Sequence, residues 1–337
     1  MIQNNAMLEI LERSEERRTA RRRFMKFAGG GIAATAGLSL LTACGGDDEE
    51  NATAPPAPTP TPSSDAQIDI DVLNFALNLE YLEATFYSFA AFGAPLAATT
   101  TSGVGTAGVV TGGRAVNFTD PVVRNYAREI AADEVAHVNF LRSVLGSAAV
   151  ALPALNIDGG ANGAFTAAAR AAGLVSATGT FDAYASDENF LLAAFIFEDV
   201  GVTAYKGGAP LLVNKTYLEA AAGLLAAEAY HAGLIRTVLY AKGVQTPSLR
   251  TSADAISNAR DSLDGTSDID QGITGTGSGL TGTSNIVPTD ANGIAFSRTV
   301  AQVHNIAYLT NTARIGGGFF PSGTNNRTDA LRSSGAF

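Results

Sequence analysis

The sequence contains an internal repeat that strongly limits its possible folds. An apolar segment around Glu80 aligns without a gap with a segment around Glu198, and the same register places Tyr87 on Tyr205. Three residues of a second segment also recur, namely Glu134 as Glu228, His137 as His231 and Arg142 as Arg236. Chance similarity between alanine- and leucine-rich segments does not reproduce four polar residue types in register. The duplicated pair of segments therefore predicts an all-α protein, a four-helix bundle built from two similar helix pairs.

Start and stop signals give the predicted bounds of the four helices. The predicted helices run from about Asp69 or Asp71 to Gly93, from Pro121 to Gly146, from Ser186 to Gly207–Gly208, and from near Asn214 to Gly243. Asp120 precedes a proline, which is favoured at the first helical position. Thr216 and Glu219 have the spacing of a capping box. The Gly/Thr-rich segments 94–119 and 147–185 show no strong pattern and are predicted to be loops.

The N-terminal region has the features of an exported lipoprotein. Within residues 1–43, Arg21 and Arg22 precede a Gly/Ala-rich apolar run that is too short for a stable membrane span. This region resembles a twin-arginine signal peptide, with an N-terminal membrane-anchor helix as the alternative. The run ends in LTAC, which resembles a bacterial lipobox and implies a lipidated Cys44 that attaches the protein to a membrane surface. The resemblance implies export to the cell envelope or periplasm.

Different compositions mark the remaining regions of the chain. Residues 44–67 are rich in Pro and Thr, which predicts an extended linker before the helical bundle at 68–245. Residues 246–337 form a Gly/Thr-rich C-terminal extension, predicted to be partly ordered with one short helix. In that helix Val300, Val303 and either Ile306 or Ala307 are expected to face the bundle. Its histidine, His304, has Ala301 where a metal-binding pair would place a glutamate, so it is interpreted as an ordinary helix-face residue.

Histidine and cysteine are scarce, and this scarcity makes their positions informative. The 337 residues include one Cys and three His, which excludes a disulfide scaffold and any cysteine-ligated zinc or iron–sulfur centre built from this chain alone. Two of the three histidines follow a glutamate by three residues, in the pairs Glu134/His137 and Glu228/His231. That spacing places both side chains on one helix face, where they can bind the same metal centre.

Two further glutamates, Glu80 and Glu198, lie on the apolar faces of the other two helices, where a lone carboxylate is costly to ionise unless it is paired or metal-bound. Glu83 is the alternative to Glu80, but it aligns with Gly201, so Glu80 is preferred. Two divalent ions would balance four carboxylates, with neutral imidazoles as further ligands, and this donor set favours iron or manganese over structural zinc. The predicted metal ligands are Glu80, Glu134, His137, Glu198, Glu228 and His231.

On these residues the sequence resembles the ferritin-like superfamily over roughly residues 68–245, in particular the exported ferritin-like proteins related to plant desiccation-related proteins. The resemblance implies that Glu134 and Glu228 bridge two metal ions and are the catalytic carboxylates. It also implies that Glu80 and Glu198 are terminal ligands and that His137 and His231 each bind one ion. Tyr87 and Tyr205 are candidates to support these ligands, and ordinary core tyrosines are the alternative.

The resemblance implies an oxidoreductase that uses iron or manganese and acts on peroxide or dioxygen in oxidative or desiccation stress protection. Peroxide removal and ferrous oxidation both fit the predicted site. A non-catalytic metal-binding or stress-protection envelope protein is the alternative, and a metal-free structural protein is a third interpretation. The net charge of -10 leaves no basic face for phosphates, so no nucleic-acid partner is expected. An oligomer is possible.

Overall fold

Long alanine- and leucine-rich segments with clear capping residues form the helices of this protein. The computed structural model describes residues 64–277 and 282–337. In chain order the elements are α1 (Ser64–Phe92), β1 (Val110–Gly112), α2 (Pro121–Leu145), β2 (Leu155–Ile157), α3 (Ala164–Ala171), α4 (Asp187–Gly208), α5 (Lys215–Gln245), α6 (Ser248–Asp261) and α7 (Val300–Tyr308). The predicted export signal with Arg21 and Arg22 and the predicted lipidation site Cys44 lie outside the described residues, so they stay predictions.

Local capping explains where three of the long helices begin. The Asp120 carboxylate accepts hydrogen bonds from the first turn of α2, and the Ser186 hydroxyl does the same for α4. Both starts are confirmed. The predicted capping box was wrong, because the side chain of Asn214 rather than Thr216 caps α5. Helix α1 begins at Ser64, earlier than predicted, because the helix extends into the polar residues that precede its apolar stripe.

The four long helices form two antiparallel pairs, and the two pairs share one hydrophobic core. Helix α1 packs along α2, α4 packs along α5, and the pairs meet through contacts of α1 with α4 and of α2 with α5. Fully buried side chains such as Leu77, Ile130, Phe195 and Ile235 fill the space between them. This packing confirms the predicted helical bundle. Within residues 64–277 and 282–337, none of the helices combines the length and the hydropathy of a membrane-spanning segment.

The connections between the helices are more ordered than predicted. Strand β1 pairs in parallel with β2, with Val110 opposite Leu155, and the short helix α3 follows. The interpretation of 94–119 and 147–185 as loops without structure was therefore wrong. Three-residue strands give too short an alternation for a sequence pattern, and the contacts that order them are tertiary, between the two strands and between β2 and α3.

The C-terminal extension also contains more helix than predicted. Helix α7 confirms the short predicted helix, with Val300, Val303, Ile306 and Ala307 buried. Helix α6, however, occupies a region for which no helix was predicted. It buries Leu249, Ala253 and Ile256 against the bundle, but its other buried positions are polar, so its apolar stripe is narrow. Both helices belong to the same compact unit as the bundle.

Candidate metal centre

Each of the four bundle helices contributes buried side chains to one cluster at the centre of the bundle. Helices α1 and α4 each contribute one glutamate, whereas α2 and α5 each contribute a glutamate and a histidine one turn apart. These side chains form two overlapping groups, Glu80/Glu134/His137/Glu228 and Glu134/Glu198/Glu228/His231. Within each group one potential ligand atom per residue lies within 4.8 Å of the others. The structure therefore brings all six predicted ligands together, and Glu134 and Glu228 are common to both groups.

The two imidazole rings are stacked among the carboxylates, with their centroids 6.1 Å apart and their planes inclined at 27°. Nδ1 of His137 lies 3.2 Å from Oε2 of Glu80, 3.5 Å from Oε2 of Glu134 and 3.6 Å from Oε1 of Glu228. Nδ1 of His231 lies 3.0 Å from Oε1 of Glu134 and 3.6 Å from Oε2 of Glu198. In both rings the same nitrogen faces inward, so each Nδ1 could bind one ion together with several carboxylate oxygens.

Two tyrosines hold one oxygen of each terminal glutamate, and they do so across the helix pairs. The hydroxyl of Tyr87 on α1 donates a hydrogen bond to Oε1 of Glu198 on α4, and that of Tyr205 on α4 donates to Oε1 of Glu80 on α1. Burial raises the pKa of both phenols well above the usual range, so they remain donors. The tyrosines thus contact the predicted ligands directly and leave the Oε2 atoms facing the centre.

Many polar atoms at this centre have no hydrogen-bond partner among the described residues. Both carboxylate oxygens of Glu134, both of Glu228, Oε2 of Glu198 and Nδ1 of His231 are buried without a hydrogen bond of acceptable geometry. Buried polar groups in folded proteins are normally satisfied, so such a concentration needs an explanation. Two cations between the carboxylates would satisfy these atoms, and the donor set fits hard or borderline divalent ions such as iron or manganese.

The pKa shifts in the cluster also indicate that its carboxylates lack sufficient positive charge nearby. Burial raises the pKa of Glu80 to about 7 and that of Glu198 to about 8. Burial disfavours protonated imidazoles, but the surrounding carboxylates raise the pKa of His137 to about 11 and that of His231 to about 10. Without metal, the histidines therefore act as the counter-charges of the acids. Divalent ions would replace these protons and free each Nδ1 lone pair for coordination.

A model of the ferritin-like domain family matches residues 68–241, which is more than half of the chain. The chain belongs to the ferritin-like family. Among curated proteins, this ferritin-like chain is 28% identical over 266 residues to the ferritin-like catalase Nec2 of Nesocodon mauritianus, a match that covers 77% of this chain and 84% of the relative. It is 30% identical over 238 residues to the desiccation-related protein PCC13-62 of Craterostigma plantagineum, which covers 68% and 74%. No solved structure matches it significantly.

Two side chains beside the ferritin-like cluster were not among its predicted ligands. Glu83 is buried next to the centre but belongs to neither group of potential ligands. Asp133 lies one residue before Glu134 and contacts His231 rather than its own helix neighbour His137. Comparing the repeats could not reveal this contact, because residue 227 in the second copy is alanine.

The third histidine, His304, belongs to neither group of potential ligands among the described residues. His304 is fully buried, and its Nδ1 lies 2.9 Å from the carbonyl oxygen of Val300, while its Nε2 lies 3.1 Å from the hydroxyl of Thr324. Its ring packs on Phe75 and Tyr308. Both nitrogens are therefore engaged in holding the C-terminal extension.

Proposed function

We propose that this chain binds two redox-active divalent ions, iron or manganese, and uses them to degrade hydrogen peroxide. The proposal rests on the pair of overlapping buried groups whose shared carboxylates, Glu134 and Glu228, have no hydrogen-bond partner among the described residues. A relative that covers most of the chain is named a ferritin-like catalase, which supports peroxide as the substrate. In that reaction two peroxide molecules yield two water molecules and one dioxygen molecule.

The chain supplies the position and environment of the proposed ions. Glu134 and Glu228, which belong to both groups, would help to hold both ions, Glu80 and His137 would hold one, and Glu198 and His231 would hold the other. Redox-active ions held there would supply the two-electron chemistry that the disproportionation of peroxide requires. Tyr87 and Tyr205 keep their protons and fix the orientation of the terminal glutamates.

The apolar walls of the bundle have a separate role in this proposal. Buried side chains such as Leu77, Ile130 and Ile235 lie on the same helix faces as the ligands and exclude bulk water. Exclusion of water strengthens the electrostatic interactions between carboxylates and cations. It also limits the centre to small uncharged molecules, a class that includes hydrogen peroxide and dioxygen.

The decisive experiment combines metal analysis with turnover on the full chain. The parent should hold two ions of iron or manganese per chain and release dioxygen from peroxide. The double variant Glu134→Ala/Glu228→Ala should lose both properties. A matched control is Glu129→Ala/Glu219→Ala, which removes two exposed glutamates from the same two helices and should keep both. Circular dichroism would show that all three proteins remain helical.

Each outcome has a clear consequence. Less than one ion per chain in the parent would contradict the di-metal centre. Two ions without peroxide turnover above that of the double variant would instead favour a non-catalytic metal-binding or stress-protection protein, in keeping with the relative named a desiccation-related protein. Turnover of ferrous ions and dioxygen in the absence of peroxide turnover would identify ferrous oxidation as the reaction.

A further inference from the structure

The two histidines of the centre differ in what their outward nitrogens contact. Nε2 of His231 on α5 lies 3.4 Å from Oδ2 of Asp133 on α2, within hydrogen-bond distance. Its other nitrogen, Nδ1, faces Glu134 and Glu198 inside the cluster. The His231 ring is thus held between an outer carboxylate and the centre.

In the described part of the chain, no carboxylate supports the outward nitrogen of His137 in this way. The repeat that places Glu134 on Glu228 also places Asp133 on Ala227, so the second copy has a methyl group where the first has a carboxylate. The Nδ1 atom of His137 faces the cluster in the same way as that of His231. Across residues 64–277 and 282–337, however, we find no hydrogen-bond partner for its Nε2 atom.

An outer carboxylate matters for a metal-binding imidazole in two ways. By accepting the Nε2 proton it fixes the tautomer in which Nδ1 carries the lone pair, and it holds the ring in the orientation for coordination. It also makes the imidazole a stronger donor to the metal. A histidine without this contact must lose rotational freedom and select its tautomer when the ion binds, so its ion binds less tightly.

We propose that Asp133 is a positioning residue that makes the two metal positions unequal. The position of His231 and Glu198 is the tight one, and that of His137 and Glu80 is the weaker, more readily exchanged one. This inference rests on the proposed di-metal centre. Removal of such outer contacts typically costs 10- to 100-fold in metal affinity. Because the Asp133 side chain is 53% exposed, we expect a value near the lower end, about tenfold.

The test is an anaerobic titration of the metal-free full chain with Co²⁺, which binds oxygen and nitrogen donors and reports coordination through its absorption. The parent should bind two ions in two resolved steps. In Asp133→Ala the tighter step should weaken about tenfold while the weaker step stays unchanged. Asp133→Asn retains an acceptor oxygen and should restore part of the lost affinity. Ala227→Asp places a carboxylate at the repeat-related position and should strengthen the weaker step instead.

Proton NMR of the Co²⁺-loaded protein separates positioning from a general structural effect. Each histidine bound through Nδ1 retains an Nε2 proton, which the paramagnetic ion shifts far from the other resonances. The parent should show one slowly exchanging signal, from His231 hydrogen-bonded to Asp133, and one that exchanges faster. Asp133→Ala should accelerate exchange of the slow signal only. His137→Ala and His231→Ala variants assign the two signals.

The outcomes distinguish this inference from the proposed function. Absence of Co²⁺ binding in the parent would overturn both. Two ions that bind with equal affinity, or an Asp133→Ala variant in which both steps or neither step weakens, would overturn the unequal positions and leave the di-metal centre intact. A uniform loss of thermal stability with unchanged relative affinities would show that Asp133 is merely structural.

Discussion

The two halves of the bundle, α1 with α2 and α4 with α5, use one repeated arginine in different ways. In the first half, Nη1 of Arg142 donates to the hydroxyl of Tyr81 and to the carbonyl oxygen of Ser102. In the second half, Arg236 occupies the same repeat position, but the residue aligned with Tyr81 is Asp199. Arg236 binds this aspartate at 2.7 Å.

The difference extends to the segments that cover each half. Arg142 binds the loop that follows α1, whereas Nη2 of Arg236 donates to three carbonyl oxygens of the C-terminal extension, those of Gln271, Gly272 and Asn285. Asp199 also binds Arg260 on α6. Arg142, which binds a loop, thus has a neutral side-chain partner. Arg236, which binds the longer C-terminal extension, belongs to a buried ion network. The repeat supplies the same position in both halves, but the aligned residues Tyr81 and Asp199 give the arginine a neutral partner in one half and a charged partner in the other.

Replacing each arginine with alanine should lower the free energy of unfolding by different amounts. Arg236→Ala leaves Asp199 buried with one of its two arginine partners missing and removes a donor from three carbonyl groups, of which that of Gly272 keeps a second donor in the side-chain amide of Asn285, so the free energy of unfolding should fall by about 3–5 kcal/mol. Arg142→Ala removes bonds to neutral groups from a partly exposed side chain and should cost about 1 kcal/mol. Urea unfolding of both variants measures the difference.

The same two variants also test whether the ion network around Arg236 holds the C-terminal extension in place. Limited proteolysis should cleave the C-terminal extension faster in Arg236→Ala but not in Arg142→Ala. Equal losses of stability in the two variants, or equal protection of the extension, would show that the ion network does not hold that segment.

His304 of the C-terminal extension packs on Phe75 in the first half of the bundle. Because histidine can bind a proton, the stability of this contact can be tested by changing the pH. Burial disfavours the charged imidazole and lowers the pKa of His304 to about 4, from 6.5 in the unfolded chain. Between these pH values the unfolded chain binds the proton and the folded chain does not. The free energy of unfolding therefore falls as the pH is lowered from 6.5 to 4, by about 3 kcal/mol in total, and this term is fully present above pH 6.5.

The variant His304→Gln isolates this term. The groups that face the ring are the Val300 carbonyl, the Thr324 hydroxyl, Tyr308 and the positive charge of Arg332, and they are unchanged in the variant. Other titrating groups, such as Asp264, contribute equally to both proteins and cancel in the difference. Unfolding curves at pH 7 and pH 4 should show a smaller pH dependence in the variant. The same dependence in both proteins would refute the assignment to His304.

The tyrosines that cross between the halves allow each metal position to be altered separately. Tyr87→Phe removes the hydrogen bond to Glu198 and should weaken the proposed ion of the second half, whereas Tyr205→Phe should weaken that of the first half through Glu80. Each loss should be about tenfold, because the phenol orients its glutamate rather than binding the ion. Titration with Mn²⁺ measures both. Weakening of the same binding step by both variants would contradict the crossed arrangement.

The sequence alone was sufficient for the parts of the molecule that depend on local pattern. Helical periodicity and the capping residues Asp120 and Ser186 placed the bundle helices, and the Glu-x-x-His spacing placed the ligands on one face of α2 and of α5. Contacts set by tertiary packing were not accessible in this way. The helix α6 has a polar buried face that pairs with distant residues, and Asp133 reaches a histidine on another helix rather than its own.

Glu83 is a further difference between the two halves, and its substitution should have the smallest effect on stability. Its repeat position is Gly201, where an added Cβ atom would clash with Oε2 of Glu228 unless that carboxylate moved. Burial and the neighbouring carboxylates raise the pKa of Glu83 well above its usual range, which favours its neutral form in the metal-free protein. The near-isosteric Glu83→Gln should therefore retain two ions and change the free energy of unfolding by less than about 1 kcal/mol.

The matched change Glu80→Gln should instead lose the ion of the first half, because the carboxylate facing His137 is removed. Metal content of the two variants decides between the two glutamates, which lie on the same helix three residues apart. Loss of an ion in Glu83→Gln with full occupancy in Glu80→Gln would assign the terminal position to Glu83. The first half would then bind its ion from a residue that has no counterpart in the second, and the apparent symmetry of the ligand set would not extend to α1 and α4.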